Sequence, residues 1–220
     1  MTATRTRKRR LLMGSLAIGV LILLALYAGY PRRADLTAFD ASAMAQAETL
    51  MWRHYYEKRY PLLFLDLYGV ARDQQGFSPF DSVRISFLAA RAAKRFQPSR
   101  SRREADAAFP DLIAYYALLV RAAPVPVDVR EAARKELDWW QARRENIRPD
   151  AYGLTIARVS TLIFGVDNGD IRRAGILRAQ AMAYRDAHGG DMTEADWGVI
   201  ADRLTASYRL LKRAIAFRPR

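Results

Sequence analysis

Ser78 to Phe96 reads SPFDSVRISFLAARAAKRF, and its first four residues carry a helix-start signal. The Ser78 hydroxyl can accept from an amide of the first turn while Asp81 reaches back, and Pro79 stands at the first helical position, where a missing N–H costs nothing. Behind that start, Phe80, Val83, Phe87 and Leu88 recur at helical spacing. The pattern predicts a helix over 79–96 with one apolar face to bury.

The same punctuation repeats on both sides of this stretch. Ser101-Arg102-Arg103-Glu104 follows Pro98, Asp128-Val129-Arg130-Glu131 follows Pro124-Val125-Pro126, and Thr193-Glu194-Ala195-Asp196 follows Gly189-Gly190. Leu204, Tyr208, Leu211 and Ile215 form a second apolar stripe, and no run alternates with period two. Helices are expected over about 41–75 with a bend at Pro61, 79–96, 102–122 with Pro110 inside, 129–145, 150–164, 169–187 and 194–216. Gly76, Gly165 and Gly189 sit where left-handed C-terminal caps belong. The fold class is therefore all-α, with six to seven helices of residues 41–220 in an antiparallel bundle or helical-hairpin array. A repeat solenoid is disfavoured: no fixed-period recurrence is present, and Ala93 to Pro98 is too short a fragment to support a tetratricopeptide reading.

Upstream, Leu11 to Tyr30 reads LLMGSLAIGVLILLALYAGY, twenty residues without a charge. At 1.5 Å per residue this length matches a hydrocarbon layer of roughly 30 Å. A cleaved signal peptide would have a shorter apolar region and small residues at the cut, whereas the best candidate here, Leu26-Tyr27-Ala28, begins with a large one. The expectation is an uncleaved signal anchor, with Tyr27 and Tyr30 at its far interface. Gly14 and Gly19 are five apart, so the small-x-x-x-small dimer signal is incomplete. Arg5, Arg7, Lys8, Arg9 and Arg10 precede the span, against Arg32 and Arg33 after it. That asymmetry keeps residues 1–10 in the cytoplasm. Residues 31–40 would be a linker and 41–220 an extracytoplasmic domain, periplasmic in a bacterial inner-membrane protein.

Charge adds an attraction without naming a partner. The chain holds 36 Lys and Arg against 23 Asp and Glu, and the span with its upstream flank takes five of the basic residues and none of the acidic ones. The excess that remains favours anionic headgroups, nucleic acid or an acidic partner, and the expected topology makes nucleic acid the least suited of these. Cytoplasmic nucleic-acid binding with reversed topology is the weakest of the readings. Only five basic residues are lysines, which reflects coding composition more than forked anion binding. The absence of cysteine excludes disulfides, thiolate metal sites and cysteine nucleophiles.

The densest chemical feature is Met51 to Tyr60, MWRHYYEKRY, where Trp52, Tyr55, Tyr56, Tyr60 and Leu63 share a helical side. Its plainest reading is core aromatics beside a solvated cationic flank. The functional alternative is an anion or headgroup platform built from Trp52, Arg53, Tyr56 and Arg59. Trp139-Trp140 precedes Arg143-Arg144, and Trp140 with Arg144, four apart, is a candidate contact surface. Asp66, in an apolar stretch, is read first as the partner of an arginine, and as a catalytic acid only second. Asp106 and Asp111 flank Phe109-Pro110 and could pair across a kink.

Glu48 and His54 are six apart and do not share a helical face, Glu-x-x-His is absent, and no metal or cofactor is expected. His54 reads as an ordinary surface histidine and His188 as a partner of its helix's last carbonyls. No phosphate loop, nucleophile elbow or His-Glu-x-x-His helix appears, so no catalytic residue is assigned and the enzyme question leans to no. The expected function is a binding or assembly module of a cell-envelope complex, tethered by one helix, with a protein partner or anionic lipid headgroups. Its rival is a small membrane-tethered enzyme, or binding protein, for an anionic lipid or cell-wall precursor. The enzyme would use Asp66 or Glu48 as acid/base and Arg53 or Arg59 on the anion.

Overall fold

The computed structural model describes residues 2–29 and 33–217, with side chains over 13–27 and 33–217. It divides into two compact units, Met1–Arg33 and Ala34–Arg220. The first is one helix, α1 (Thr2–Gly29). Met13, Leu16, Ile18, Leu21, Leu23 and Leu26 stand exposed along it, because a single helix has no second element in its unit to cover them. Among the described residues no helix is long and apolar enough to cross a membrane. Leu11, Leu12, Ala28 and Tyr30 of the expected span, and Arg5, Arg7, Lys8, Arg9, Arg10 and Arg32 of its flanks, lie outside the residues whose side chains are described.

Every regular element of the second unit among its described residues is helical. Its helices are α2 (Ala41–Tyr56), α3 (Tyr60–Gly69), α4 (Pro79–Phe96), the single turn α5 (Arg102–Ala105), α6 (Phe109–Leu119), α7 (Val129–Arg144), α8 (Pro149–Phe164), α9 (Gly169–His188) and α10 (Glu194–Ala216). All four expected starts are capped: Ser78, Ser101, Asp128 and Thr193 each accept from an amide of the following turn. Thr193 completes the reciprocal box, since Asp196 Oδ2 accepts from the Thr193 amide at 2.8 Å. At Ser101 the return carboxylate instead takes the amide of Arg100 at 2.7 Å.

Two expected helices are divided. The one over 41–75 stops at Tyr56, where Lys58 adopts φ 58° and Arg59 N–H returns to the His54 carbonyl at 2.8 Å. Pro61 therefore starts α3 and does not bend a longer helix, as its missing N–H allows at a first turn. After Gly69 the chain widens into a π turn over Val70–Gln74. The expected 102–122 helix is likewise cut by a 3₁₀ turn at Asp106–Ala108, which puts Pro110 in the opening turn of α6. Asp106 and Asp111 do not pair; the first meets Arg134 and the second Arg91 and Arg95. Residues of the expected linker are packed from Ala34 on: Leu36 and Phe39 are buried, and the Lys212 ammonium holds the Thr37 and Phe39 carbonyls at 2.6 and 2.8 Å.

Each long helix packs on the next, in the order α2, α3, α4, α6, α7, α8, α9, α10, and α10 closes on α2. The elements thus form a closed ring. The larger core cluster includes Leu112, Tyr116 and Leu119 of α6 and Leu137 and Trp139 of α7. A second, made of Ala45, Ala181, Trp197, Ile200 and Leu204, joins α2, α9 and α10 where the ring shuts.

The face that α4 buries is the opposite of the one its aromatic stripe predicts. Phe80, Val83 and Phe87 are 71, 45 and 54% exposed, while Ser82, Ile85, Ser86 and Ala92 are buried. Small side chains let α4 lie close to its neighbours, and the Ser86 hydroxyl is satisfied within the helix by the Ser82 carbonyl at 2.8 Å. The phenylalanines are left outside.

Close approach is tightest between α8 and α9, where glycine faces glycine. A Cβ on Gly175 would lie 2.3 Å from the Gly153 carbonyl oxygen and 2.8 Å from the Ala157 amide nitrogen. Backbone cannot give way as a side-chain tip can, so Gly175→Ala should destabilise by about 1–3 kcal/mol despite alanine's better helix propensity. Gly198 in α10 has open space around it, so Gly198→Ala should stabilise by about 0.4–1 kcal/mol. Thermal unfolding of the two variants, with opposite signs expected, checks the assignment.

Candidate functional site

Between the helices of the ring lies a cavity of about 530 Å³, open to the surface and walled by α2, α3, α4, α7 and α9. Leu63 and Leu67 of α3 and Ala89, Ala90 and Ala93 of α4 make one apolar wall. Met51, Trp52 and Tyr55 of α2 with Trp139 and Trp140 of α7 make an aromatic one. Six charged groups reach the same space: Glu48, Glu136, Asp186, Arg143, Arg144 and Arg178.

Glu48 is 1% exposed, and its two oxygens are spent on different helices. Oε1 accepts from Arg178 Nε at 2.8 Å and Nη2 at 2.6 Å, and Oε2 accepts from the Tyr208 hydroxyl. Burial, then the Glu48 charge, pushes the Tyr208 phenol well above its ordinary value, so it stays a donor. Burial alone would lower the Arg178 guanidinium, but the charge of Glu48, with Tyr208 and Glu136, outweighs it and holds Arg178 above its ordinary value. Arg178 lies deep, yet 31% of its side chain remains open because it faces the cavity. With Nε and Nη2 committed, Nη1 is the terminal nitrogen left for a ligand.

Glu136 is served by donors of α6 and α7. Its Oε2 accepts from the Tyr116 hydroxyl and the Trp139 indole, both at 2.9 Å, and Oε1 accepts from the Trp140 indole at 3.0 Å. The spacing does this: from position 136, residues three and four further on lie on the same side of the helix. Arg143 completes the rim, giving Nε and Nη2 to Asp186 at 2.9 and 2.7 Å and Nη2 also to the Tyr56 hydroxyl at 2.5 Å. Burial opposes its charge, and the Asp186 hydrogen bond overrides that, so Arg143 also sits above its ordinary value.

Counting donors against acceptors gives this site its character. The oxygens of Glu48, Glu136 and Asp186 are already served by donors, whereas Arg178 and Arg143 each keep a terminal nitrogen outside those pairs. What the cavity can still offer is charge-assisted donation from guanidinium beside apolar and aromatic walls.

The six candidates from the sequence separate accordingly. Trp52, Tyr56, Trp140 and Arg144 line the cavity, whereas Arg53 and Arg59 do not. Arg53 lies on the outside, bonded to Glu57 at 3.0 Å and to both oxygens of Glu194 at 2.6 and 3.0 Å; Arg59 joins Glu57 at 3.1 Å. The platform of Trp52, Arg53, Tyr56 and Arg59 is thus split between two faces. Arg144 stacks on Phe96 and donates to the Phe96, Gln97 and Ser99 carbonyls, closing the C-terminal end of α4. Trp140 packs edge-on against Phe96 at 5.1 Å.

Asp66 takes a histidine in place of the expected arginine: His54 Nδ1 lies 2.5 Å from Asp66 Oδ2, which pins α3 back on α2 and removes His54 from the open surface. His188 meets the Tyr184 carbonyl at 2.8 Å. Glu48, Asp66, Arg53 and Arg59 do not converge. Among the described residues no group of three or more His, Asp or Glu could hold a metal ion.

Replacing Arg178 by methionine leaves the Glu48 charge buried with only Tyr208 as partner, which should cost about 3–5 kcal/mol. Arg53→Met, which breaks exposed pairs, should cost at most about 1 kcal/mol. Chemical denaturation checks both, and adding Glu48→Gln to the Arg178 variant should recover part of the loss. No family model, curated protein or solved structure matches the chain.

Proposed function

We propose that this chain is a single-pass membrane protein, held by Leu11–Tyr30 as an uncleaved signal anchor with residues 1–10 in the cytoplasm. Its helical domain lies outside the inner membrane and acts as a binding module that takes an anionic amphiphile into the ring cavity. The sequence supports the anchor: twenty uncharged residues follow a basic cluster, and the apolar side chains described on α1 lie exposed without a stripe of their own to bury. The observation that carries the ligand reading is the donor surplus of Arg178 and Arg143 beside a wall of leucines, alanines and aromatic rings. A volume of about 530 Å³ is within the range of small-ligand sites, and guanidinium groups beside apolar walls suit an anionic headgroup and its chain. The anion-binding expectation is kept, with its cations moved from Arg53 and Arg59 to Arg178 and Arg143.

The test is native mass spectrometry of the full chain released from membranes in a mild surfactant. An anionic amphiphile should co-purify with the parent protein, its mass telling a free fatty acid from a phospholipid. Ala90→Trp and Ala93→Trp, which fill the cavity from the α4 wall, should lower its occupancy about tenfold or more with the melting temperature maintained. A parent protein that carries no ligand, and whose melting temperature does not rise with added oleate or phosphatidylglycerol, would end this reading.

A further inference from the structure

The two helices that wall the cavity with leucine and alanine turn a second apolar surface outward. On α4 this is Phe80, Val83 and Phe87, spaced i, i+3 and i+7, and on α3, which packs on α4, it is Leu62 and Leu65 at 41 and 60% exposure. α3 has no buried residue at all, although nearly every position in YPLLFLDLYG is apolar. Five large apolar side chains left exposed on two helices that pack together are a candidate interaction surface.

We propose that this α3–α4 face docks on the lipid bilayer to which the chain is anchored, inserting Phe80, Val83, Phe87, Leu62 and Leu65 into the headgroup boundary. It goes beyond the ligand cavity and rests only on the anchor part of the proposed function. Three observations choose a bilayer as the occupant. The chain enters the domain beside this face: Asp35 N–H donates to the Gln75 carbonyl at 3.0 Å, four residues before Pro79 opens α4. Only three residues lie between Tyr30, the expected end of the span, and Ala34, so an anchored chain holds this entry point close to the headgroups.

The charges that accompany the face are those an anionic surface attracts. α4 carries Arg84, Arg91, Lys94 and Arg95 against one carboxylate, Asp81. Arg84 and Arg91 lie over the Phe80 and Phe87 rings at 5.6 and 5.4 Å, so cation and aromatic ring stand together. Arg91 and Arg95 pair inward with Asp111 yet keep 39 and 49% of their side chains exposed. An amphipathic helix with arginine beside its apolar strip lies in the plane of a membrane surface. Leu63 and Leu67 line the cavity from the same helix that carries Leu62 and Leu65, so a face docked in this way sets the cavity wall against the source of its ligand.

Because the chain has no cysteine, single labels can be placed without background. Leu65→Cys, Val83→Cys, Phe87→Cys and a control, Arg173→Cys on α9, would each carry an environment-sensitive fluorophore in the full-length protein reconstituted into phosphatidylglycerol-containing vesicles. Quenching by spin-labelled lipid should be at least about twofold stronger at 65, 83 and 87 than at 173, with aqueous iodide giving the reverse order and anionic vesicles exceeding neutral ones. All four positions are exposed, so the variants should fold as the parent does, which unfolding curves check. Protein that stays with floated vesicles after alkaline extraction, yet shows iodide quenching at 65, 83 and 87 equal to that at 173, overturns the docking alone and leaves the face to a protein partner. Protein that does not stay with the vesicles overturns the anchor and the docking together.

Discussion

One carboxylate ties the ring shut. Glu48 on α2 is held by Arg178 of α9 and Tyr208 of α10, the two helices that follow it around the closure. A charge this deep persists only if its attraction and hydrogen bonds offset desolvation, and here both oxygens are served. Ala45, Ala181, Trp197, Ile200 and Leu204 pack around the same junction, so apolar burial supplies the adhesion and the ion pair supplies the register. Without that register α2 and α10 would still attract each other, but Arg178 would have no fixed position from which to face the cavity.

The polar interior follows a consistent logic. Three carboxyl groups line the cavity and each is satisfied by protein donors, two by arginine and one by two indoles and a phenol. Such a set organises the walls without competing for an acidic guest. The aromatic rings serve two ends at once, since their N–H and O–H groups hold Glu136 and Arg143 while their bodies form apolar surface.

Local signals were legible in the sequence, and pairings across the ring were not. The four capped starts could be read because a cap is a bargain between residues three apart, as at Thr193 and Asp196. The break after Tyr56 could not, because Lys58 in a left-handed conformation has no composition cue of the kind glycine gives. The aromatic stripe of α4 was visible, but which side it would face depends on neighbours, and small Ser82 and Ser86 won the interior. At the site, the 136, 139, 140 spacing is a helical triad visible in the sequence, but nothing in the spacing says that a carboxylate will take both indoles. The Glu48–Arg178 pair spans 130 positions and leaves no trace in spacing. Cations that stood closest to the aromatic run, Arg53 and Arg59, were the natural candidates, yet nearby Glu57 and distant Glu194 claim them.

Ring closure also sets how far along the chain the domain's contacts must reach. The helix that completes the circle, α10, follows the other described helices of the domain in chain order, and its Lys212 grips the carbonyls of Thr37 and Phe39 at the domain's first residues. Across that seam Ala45 and Trp52 of α2 pack with Trp197, Ile200 and Leu204 of α10. Bringing such distant segments together has an entropic cost that local hairpins do not bear, so the seam between α2 and α10 is the long-range step of folding, whichever hairpins form first.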